Sequence, residues 1–292
     1  MADGDDVRLG STVRSRALGA ELRALRRGLS LKVGNLLGVL GVSPGWLSKL
    51  ERGDRRTDAR NVARLLGFYR VDSETFDRVM GLYRDVDDGV LVWEHGPGGV
   101  DEVPVVLGHE AMAHEIFYYE AASVPALVQS DGLMRQVFGC DVQAAGEIER
   151  RVSARGKRQE VLDGRLLTKC TFVVRELVLR HLGPDPEVAW AQLMNLVWWG
   201  DTRKVDVRVI GCDAPAGYWE SCSFTLMRSP EFRPVVHIGA MTCSLFLDDP
   251  RTAEGYQKSA ELLLRNALSV EQSRELILRL ADEVSGPHDS DN

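Results

Sequence analysis

Cysteine is scarce in this chain: five in 292 residues, at positions 140, 170, 212, 222 and 243, with no Cys-x-x-Cys pair. An odd number so widely spaced excludes a zinc ribbon or a disulfide scaffold and fits a reducing cytoplasm. No apolar run reaches the roughly 18 residues that span a bilayer, and no signal peptide opens the sequence, so no membrane partner is expected. His109 and His114 invite a metalloprotease reading, but they are five apart. At about 100° per residue they fall on different sides of a helix, whereas a zincin needs a separation of four. Glu110 and His114 are better spaced, yet two side chains are too few for a metal. Cys212 and Cys222 have no neighbouring His in a nucleophile arrangement. Gly-Pro-Gly-Gly at 96–99 precedes no helix with Lys-Ser/Thr, so it is no phosphate loop. The expectation is no metal, no cofactor and no enzyme.

What is present begins with residues 29–53, LSLKVGNLLGVLGVSPGWLSKLERG. Val33, Leu36, Leu37 and Leu40 form one helical stripe, and Gly41 is a natural left-handed stop. Ser43 is a good N-cap, and Pro44 sits where a first-turn proline costs nothing. Leu47 and Leu50 then face inward and Gly53 closes the segment. Two helices joined by a tight turn form a helix-turn-helix, which presents its second helix to the major groove. Leu18, Leu22 and Leu25 make a stripe upstream. Val62, Leu65, Leu66 and Tyr69 make another behind Asp58, and Phe76, Val79, Met80 and Tyr83 a third behind Asp72 or Ser73. Five short helices over residues 10–84 predict an all-α, λ-repressor-like domain.

Charge points the same way. Residues 8–70 hold 14 Lys and Arg against 4 Asp and Glu, although the whole chain has a net charge of −7. Cations that neutralise phosphates supply most non-specific DNA affinity. LGAELRALRRGLSL followed by GVSPGWLSKLERGDRR resembles the Cro-type, xenobiotic-response-element helix-turn-helix family. Members commonly carry Gln at the start of the second helix and early in the third; here Leu31 and Pro44 stand in those places, followed by the bare Gly45. Ser43, Trp46 and Lys49 remain as candidates to touch bases, with Pro44 at the helix start. Lys32, Arg52, Arg55, Arg56 and Arg60 are the expected phosphate contacts. Trp46 reads equally as a packing residue. Glu51 is expected to pair with Arg23 or Arg26.

Residues 85–104, rich in Gly, Asp and Pro, read as a linker in which Val90, Val92 and Trp93 pack on one side or the other. Over 105–284 helical and extended patterns alternate. A helix then an extended stretch is expected over 105–121, a long charged helix at 142–161, a strand giving way to a helical or extended segment over 166–182, and an amphipathic helix from Pro186. Val205, Val207 and Val209 form a strand face, and two further strands follow. The end is two helices, the second capped by Ser269 with Gln272 completing a capping box. This predicts an α+β domain with a small antiparallel sheet and C-terminal helices, so the fold class is α+β overall. The tails, 1–9 and 285–292, are expected to be disordered.

The basic run at Arg150, Arg151, Arg155, Lys157, Arg158 and Gln159 is by default a solvated face. Its alternative is an internal ion-pair network or recognition of an acidic partner. Of Trp198 and Trp199, one is expected in the core and the other at a pocket or interface. The segments VPALVQS, IERRVSARGKRQ, VVRELVLRHL and ALSVEQSRELI resemble the actinobacterial domain of unknown function that follows such a helix-turn-helix in WhiJ-like regulators. The resemblance implies a regulator, often encoded beside a small partner protein. This chain departs from it at Pro125-Ala126-Leu127-Val128-Gln129-Ser130 and at Gly239. Arg151, Arg155, Arg158, Gln129 and Trp199 are the candidate ligand or partner residues. The expected function is a cytoplasmic, nucleoid-associated transcriptional regulator. Its partners are double-stranded DNA, a second copy of itself, and a small-molecule effector or a small protein encoded nearby. The alternative is an antitoxin-like module that neutralises a small protein and binds DNA for autoregulation.

Overall fold

The computed structural model describes residues 11–34, 41, 43–54, 57–83, 89–96, 99–140, 144–215, 217 and 222–286. Leu36, Leu37, Leu40, Arg55, Arg56 and the expected disordered tails lie outside them, apart from residues 285 and 286. The architecture is α+β, as expected. The chain divides into two compact units: Met1–Val92 with Pro230–Val235 and Leu245–Ala253, and Trp93–Ser229 with Val236–Ser244 and Glu254–Asn292.

In the first unit, α1 (Val13–Gly28) opens on a capping box between Thr12 and Ser15 and buries Val13, Ala17, Leu18 and Leu22. Val33 and Gly34 are helical. Gly41, at φ +65°, is left-handed as expected. Helix α2 (Pro44–Glu51) starts on Ser43, whose hydroxyl accepts from the Trp46 N–H at 3.1 Å. Helices α3 (Ala59–Tyr69) and α4 (Ser73–Leu82) are capped by Asp58 and Asp72. Each cap satisfies an otherwise orphaned first-turn N–H. Leu47, Leu50, Val62, Leu65, Leu66 and Val79 close the core. A Cβ on Gly19 of α1 would lie 2.4 Å from the Leu50 carbonyl oxygen, so only glycine lets α1 and α2 approach this closely. Gly53, at φ +76°, would meet the Arg16 backbone at 2.6 Å. Asp248 accepts from the Val13 N–H at 2.6 Å and from Arg16 at 3.4 Å.

The stretch expected as a linker holds strand β1 (Val90–Glu94) and a 3-10 turn at Gly99–Glu102. Then follow α5 (Pro104–Met112), β2 (Glu115–Glu120), α6 (Asp131–Gly139), α7 (Ala145–Gln159), β3 (Lys169–Arg175), α8 (Glu176–Arg180), α9 (Pro186–Gly200) and β4 (Val205–Ile210). Strands β5 (Phe224–Ser229), β6 (Phe232–Gly239) and β7 (Cys243–Leu247) precede α10 (Pro250–Asn266) and α11 (Val270–Ser285). Strand order is β1-β7-β6-β5-β2-β3-β4.

The sheet is mixed, which corrects the expected antiparallel one. Strands β2, β3 and β4 are parallel neighbours, and β2 pairs antiparallel with β5. The reason is connectivity: α6 and α7 cross over from β2 to β3, and α8 and α9 from β3 to β4, as parallel pairing demands. Ile116 to Tyr119 and Cys170 to Val174 are buried without alternation, the mark of strands covered on both faces. Helices α9 and α11 pack on one another and on β4. The capping box of Ser269 and Gln272 forms as expected.

Candidate functional site

In the first unit the second helix of the motif is held from behind. Arg26 donates two bonds to Glu51, Nε to Oε1 at 2.5 Å and Nη2 to Oε2 at 2.8 Å, and a third to the Leu31 carbonyl at 2.7 Å. The bond to Glu51 raises the Arg26 pKa. Of the two partners expected for Glu51, the structure selects Arg26. With Leu47 and Leu50 buried, the opposite face of α2 is left to solvent. Ser43, Pro44, Gly45 and Lys49 are exposed and Trp46 is half-buried. Lys32 and Arg60 are exposed as well. Arg52 is exposed but tied down, donating to Asp54 at 2.7 Å and to the Ser48 hydroxyl at 2.8 Å.

The second unit uses arginine in the opposite way. On α7, Arg155 and Arg158 are 7% and 5% exposed, so the solvated-face reading fails for them and the internal network replaces it. Residues 152, 155 and 158 fall on one helical face, and Val152 lies there with Met134 and Phe138. That apolar face carries the two guanidiniums inward, Arg155 over the Phe138 ring at 4.4 Å. Asp101 accepts from Arg155 Nε at 2.9 Å and from Arg158 Nη1 at 2.8 Å. Glu110 accepts from Arg158 at 2.9 and 2.6 Å and from the Tyr118 hydroxyl. Burial alone would lift the Asp101 carboxyl, but Arg155 and Arg158 hold it below the ordinary carboxylate range. Burial and Glu110 push the Tyr118 phenol well up. Gln129 accepts from Arg155 Nη1 and donates to the Val124 carbonyl at 2.7 Å. Gln159 donates to the Gln129 carbonyl at 2.8 Å, which pins the turn that carries Gln129.

Beside this network lies a cavity of about 320 Å³, lined among others by Tyr118, Glu120, Gln129, Arg155, Arg158 and His237. Burial pushes the His237 imidazole down to about 3, helped by the nearby Arg158, so the ring is neutral. Its Nε2 is 3.1 Å from the Ser244 hydroxyl, which also lies 3.2 Å from His95 Nε2. Gly239, one of the departures noted in the sequence, is at the exposed side of the cavity.

The structure thus gathers three candidates, Gln129, Arg155 and Arg158, at one place. Arg151 lies near the surface, paired with Glu147 at 2.9 Å. Trp199 is the core member of the tryptophan pair at 8% exposure, and Trp198, at 58%, is the exposed one. Asp101, Glu110 as an arginine partner, Glu120 and His237 were missed. The one sequence signal for the first two was the three-residue spacing of Arg155 and Arg158 behind Val152. Helix α5 ends at Met112, so His114 lies beyond it, and the buried His109 places Nδ1 2.7 Å from the Val105 carbonyl. Among the described residues, no group of His, Cys, Asp and Glu could hold a metal, and no helix is long and apolar enough to cross a membrane.

A capped second helix whose solvent side carries Lys49, packed among α1, α3 and α4, has the arrangement of a helix-turn-helix domain. Residues 17–79 match the family model of a helix-turn-helix domain. Residues 103–279, more than half of the chain, match the domain of unknown function DUF5753, and the chain belongs to that family. No curated protein matches. A solved structure of TrmBL2, described as an archaeal chromatin protein with a novel mode of DNA binding, is similar at 10% identity and a TM-score of 0.33. The match covers 72% of this chain and 65% of that one, so this chain spans slightly under two thirds of its neighbour's length. A likeness this distant carries no argument.

Proposed function

We propose that this protein is a non-enzymatic transcriptional regulator of the Cro-type kind, with a WhiJ-like arrangement. Residues 10–84 dock on DNA, and residues 105–284, beyond a connecting stretch at 85–104, sense a small molecule. The observation that carries the first half is the face of α2. Leu47, Leu50 and Glu51 anchor the helix, while Ser43, Pro44 and Lys49 are exposed and Trp46 is half-buried. Ser43, Trp46 and Lys49 approach base edges, and Lys32, Arg52, Arg55, Arg56 and Arg60 bind phosphates. The sensing half is supported by the 320 Å³ cavity, which is of small-molecule size. That cavity also favours an effector over the antitoxin-like alternative.

One reading helix with Pro44 and Gly45 at its start makes few base contacts. Pairing two copies through residues 105–284 recovers affinity by effective concentration, so the operator is an inverted repeat with half-sites about one helical turn apart. The exposed Trp198 is the indole available to such an interface. The working place of such a regulator is the cytoplasm, on the nucleoid.

Gel-shift titrations on promoter DNA across a salt series test the assigned surface. Lys49→Ala and Arg60→Ala should each weaken binding, the first with relaxed sequence preference and the second with a salt slope lower by about one. Binding unchanged by both would overturn it.

A further inference from the structure

We propose that the cavity beside the arginine network binds a small organic cation, an amine or guanidine on a short apolar body, with Glu120 as its counter-ion. This deepens the sensing reading above and rests on it. Arg155 and Arg158 look at first like an anion site, but Asp101 and Glu110 match them charge for charge. The Tyr118 hydroxyl is spent on Glu110, and both ends of the Gln129 amide are engaged. His237 is neutral. What remains is Glu120, at the end of β2, with no ion pair among the described residues.

The hydroxyls of Ser223 and Ser123 line the cavity beside Glu120 and act to lower its pKa. Ser223 accepts from the Ala121 N–H at 3.0 Å, which leaves its proton for Glu120. A carboxylate has about four acceptor positions, so about two stay open toward the cavity. Burial raises the Glu120 pKa despite those hydroxyls and the more distant Arg158 and Arg155. The fold therefore bears the cost of a poorly solvated charge that a bound cation would offset. An anion would meet that carboxylate and find the guanidiniums already matched. Apart from Thr225, the remaining wall is largely apolar, with Val100, Val124, Val137 and Phe224, and suits a hydrocarbon or aromatic body. An aromatic ring close to a cation adds attraction.

The test uses the full chain without DNA, titrated calorimetrically with agmatine and tyramine and, as size-matched anions, glutarate and 4-hydroxyphenylacetate. At least one amine should bind and neither carboxylate should. Glu120→Gln should weaken the amine about 10- to 100-fold, the range of a charge-assisted bond. Ala240→Trp, at the exposed rim of the cavity, should block it while leaving Glu120 in place. If circular dichroism shows that Glu120→Gln does not fold, the Ala240→Trp variant and the amine–carboxylate contrast decide. Binding of the carboxylates instead would overturn the cation and leave the sensing reading standing. No binding by any of the four, or amine binding indifferent to both variants, would overturn the site. Amine binding lost in the variants, with promoter affinity unchanged by amine, would uphold the site and remove the sensing role.

Discussion

Two arginine-rich helical stretches of this protein put the same side chain to opposite uses. Around α2, Lys49 and Arg60 stand in solvent, where a cation keeps its hydration and stays available for phosphate. On α7, Arg155 and Arg158 are buried and matched by Asp101 and Glu110. Local charge density alone does not distinguish a ligand surface from a structural network. The difference lies in where the acids are: within the motif helix Glu51 is spent on Arg26, whereas the acids that meet Arg155 and Arg158 come from 48 to 57 residues away.

That contrast can be broken most forcefully at Arg158. Replacing it by Ala leaves Glu110 and Asp101 under-compensated in a buried place, and should cost about 3–5 kcal/mol of unfolding free energy in urea titrations. A loss below about 1 kcal/mol would mean that the network is solvated after all. His237 sharpens the same region through pH. Its folded-state pKa, about 3, lies below the ordinary 6.5, so its contribution is intact above pH 6.5 and is lost as pH falls toward 3. Its part of the slope is at most about 1.4 kcal/mol per pH unit. A His237→Asn variant should unfold with a correspondingly flatter acid limb.

On the other side of the comparison the effects on stability are smaller. Ser43→Ala removes the cap of α2 and should cost about 1 kcal/mol by thermal unfolding, with DNA affinity falling alongside. Smallest is Lys49→Ala, which should change stability by no more than about 0.5 kcal/mol while still weakening DNA binding. A cation whose removal disturbs the fold as Arg158 does would belong to the wrong half of the comparison.

The elements with strong local signals were legible in the sequence. The turn around Gly41 and Ser43, the caps at Asp58, Asp72 and Ser269, and the alternating β4 all have causes within a few residues of themselves. The edge strand β1 was hidden in a Gly- and Asp-rich stretch, and β7, Cys243–Leu247, is too short to show a period. Parallel pairing of β2 to β4 depends on how long crossovers pack, which no window of sequence contains. The same holds for the site. Arg155 and Arg158 stood out in a basic run and Gln129 through the family resemblance, but Glu120 and His237 sit on separate strands and are brought together only by the sheet.

The Asp248 carboxylate that receives the Val13 N–H is 235 residues downstream of it. During synthesis, α1 therefore leaves the ribosome long before the group that completes its first turn, and until then Arg16 lacks its buried acid. A fragment ending at residue 84 would live permanently in that unfinished state. Late closure of so long a loop is slow and leaves partly built surface exposed. The first unit, though first to be made, is thereby tied to nearly the last part of the chain, so a truncated product would carry a DNA-reading helix on an incompletely stabilised base.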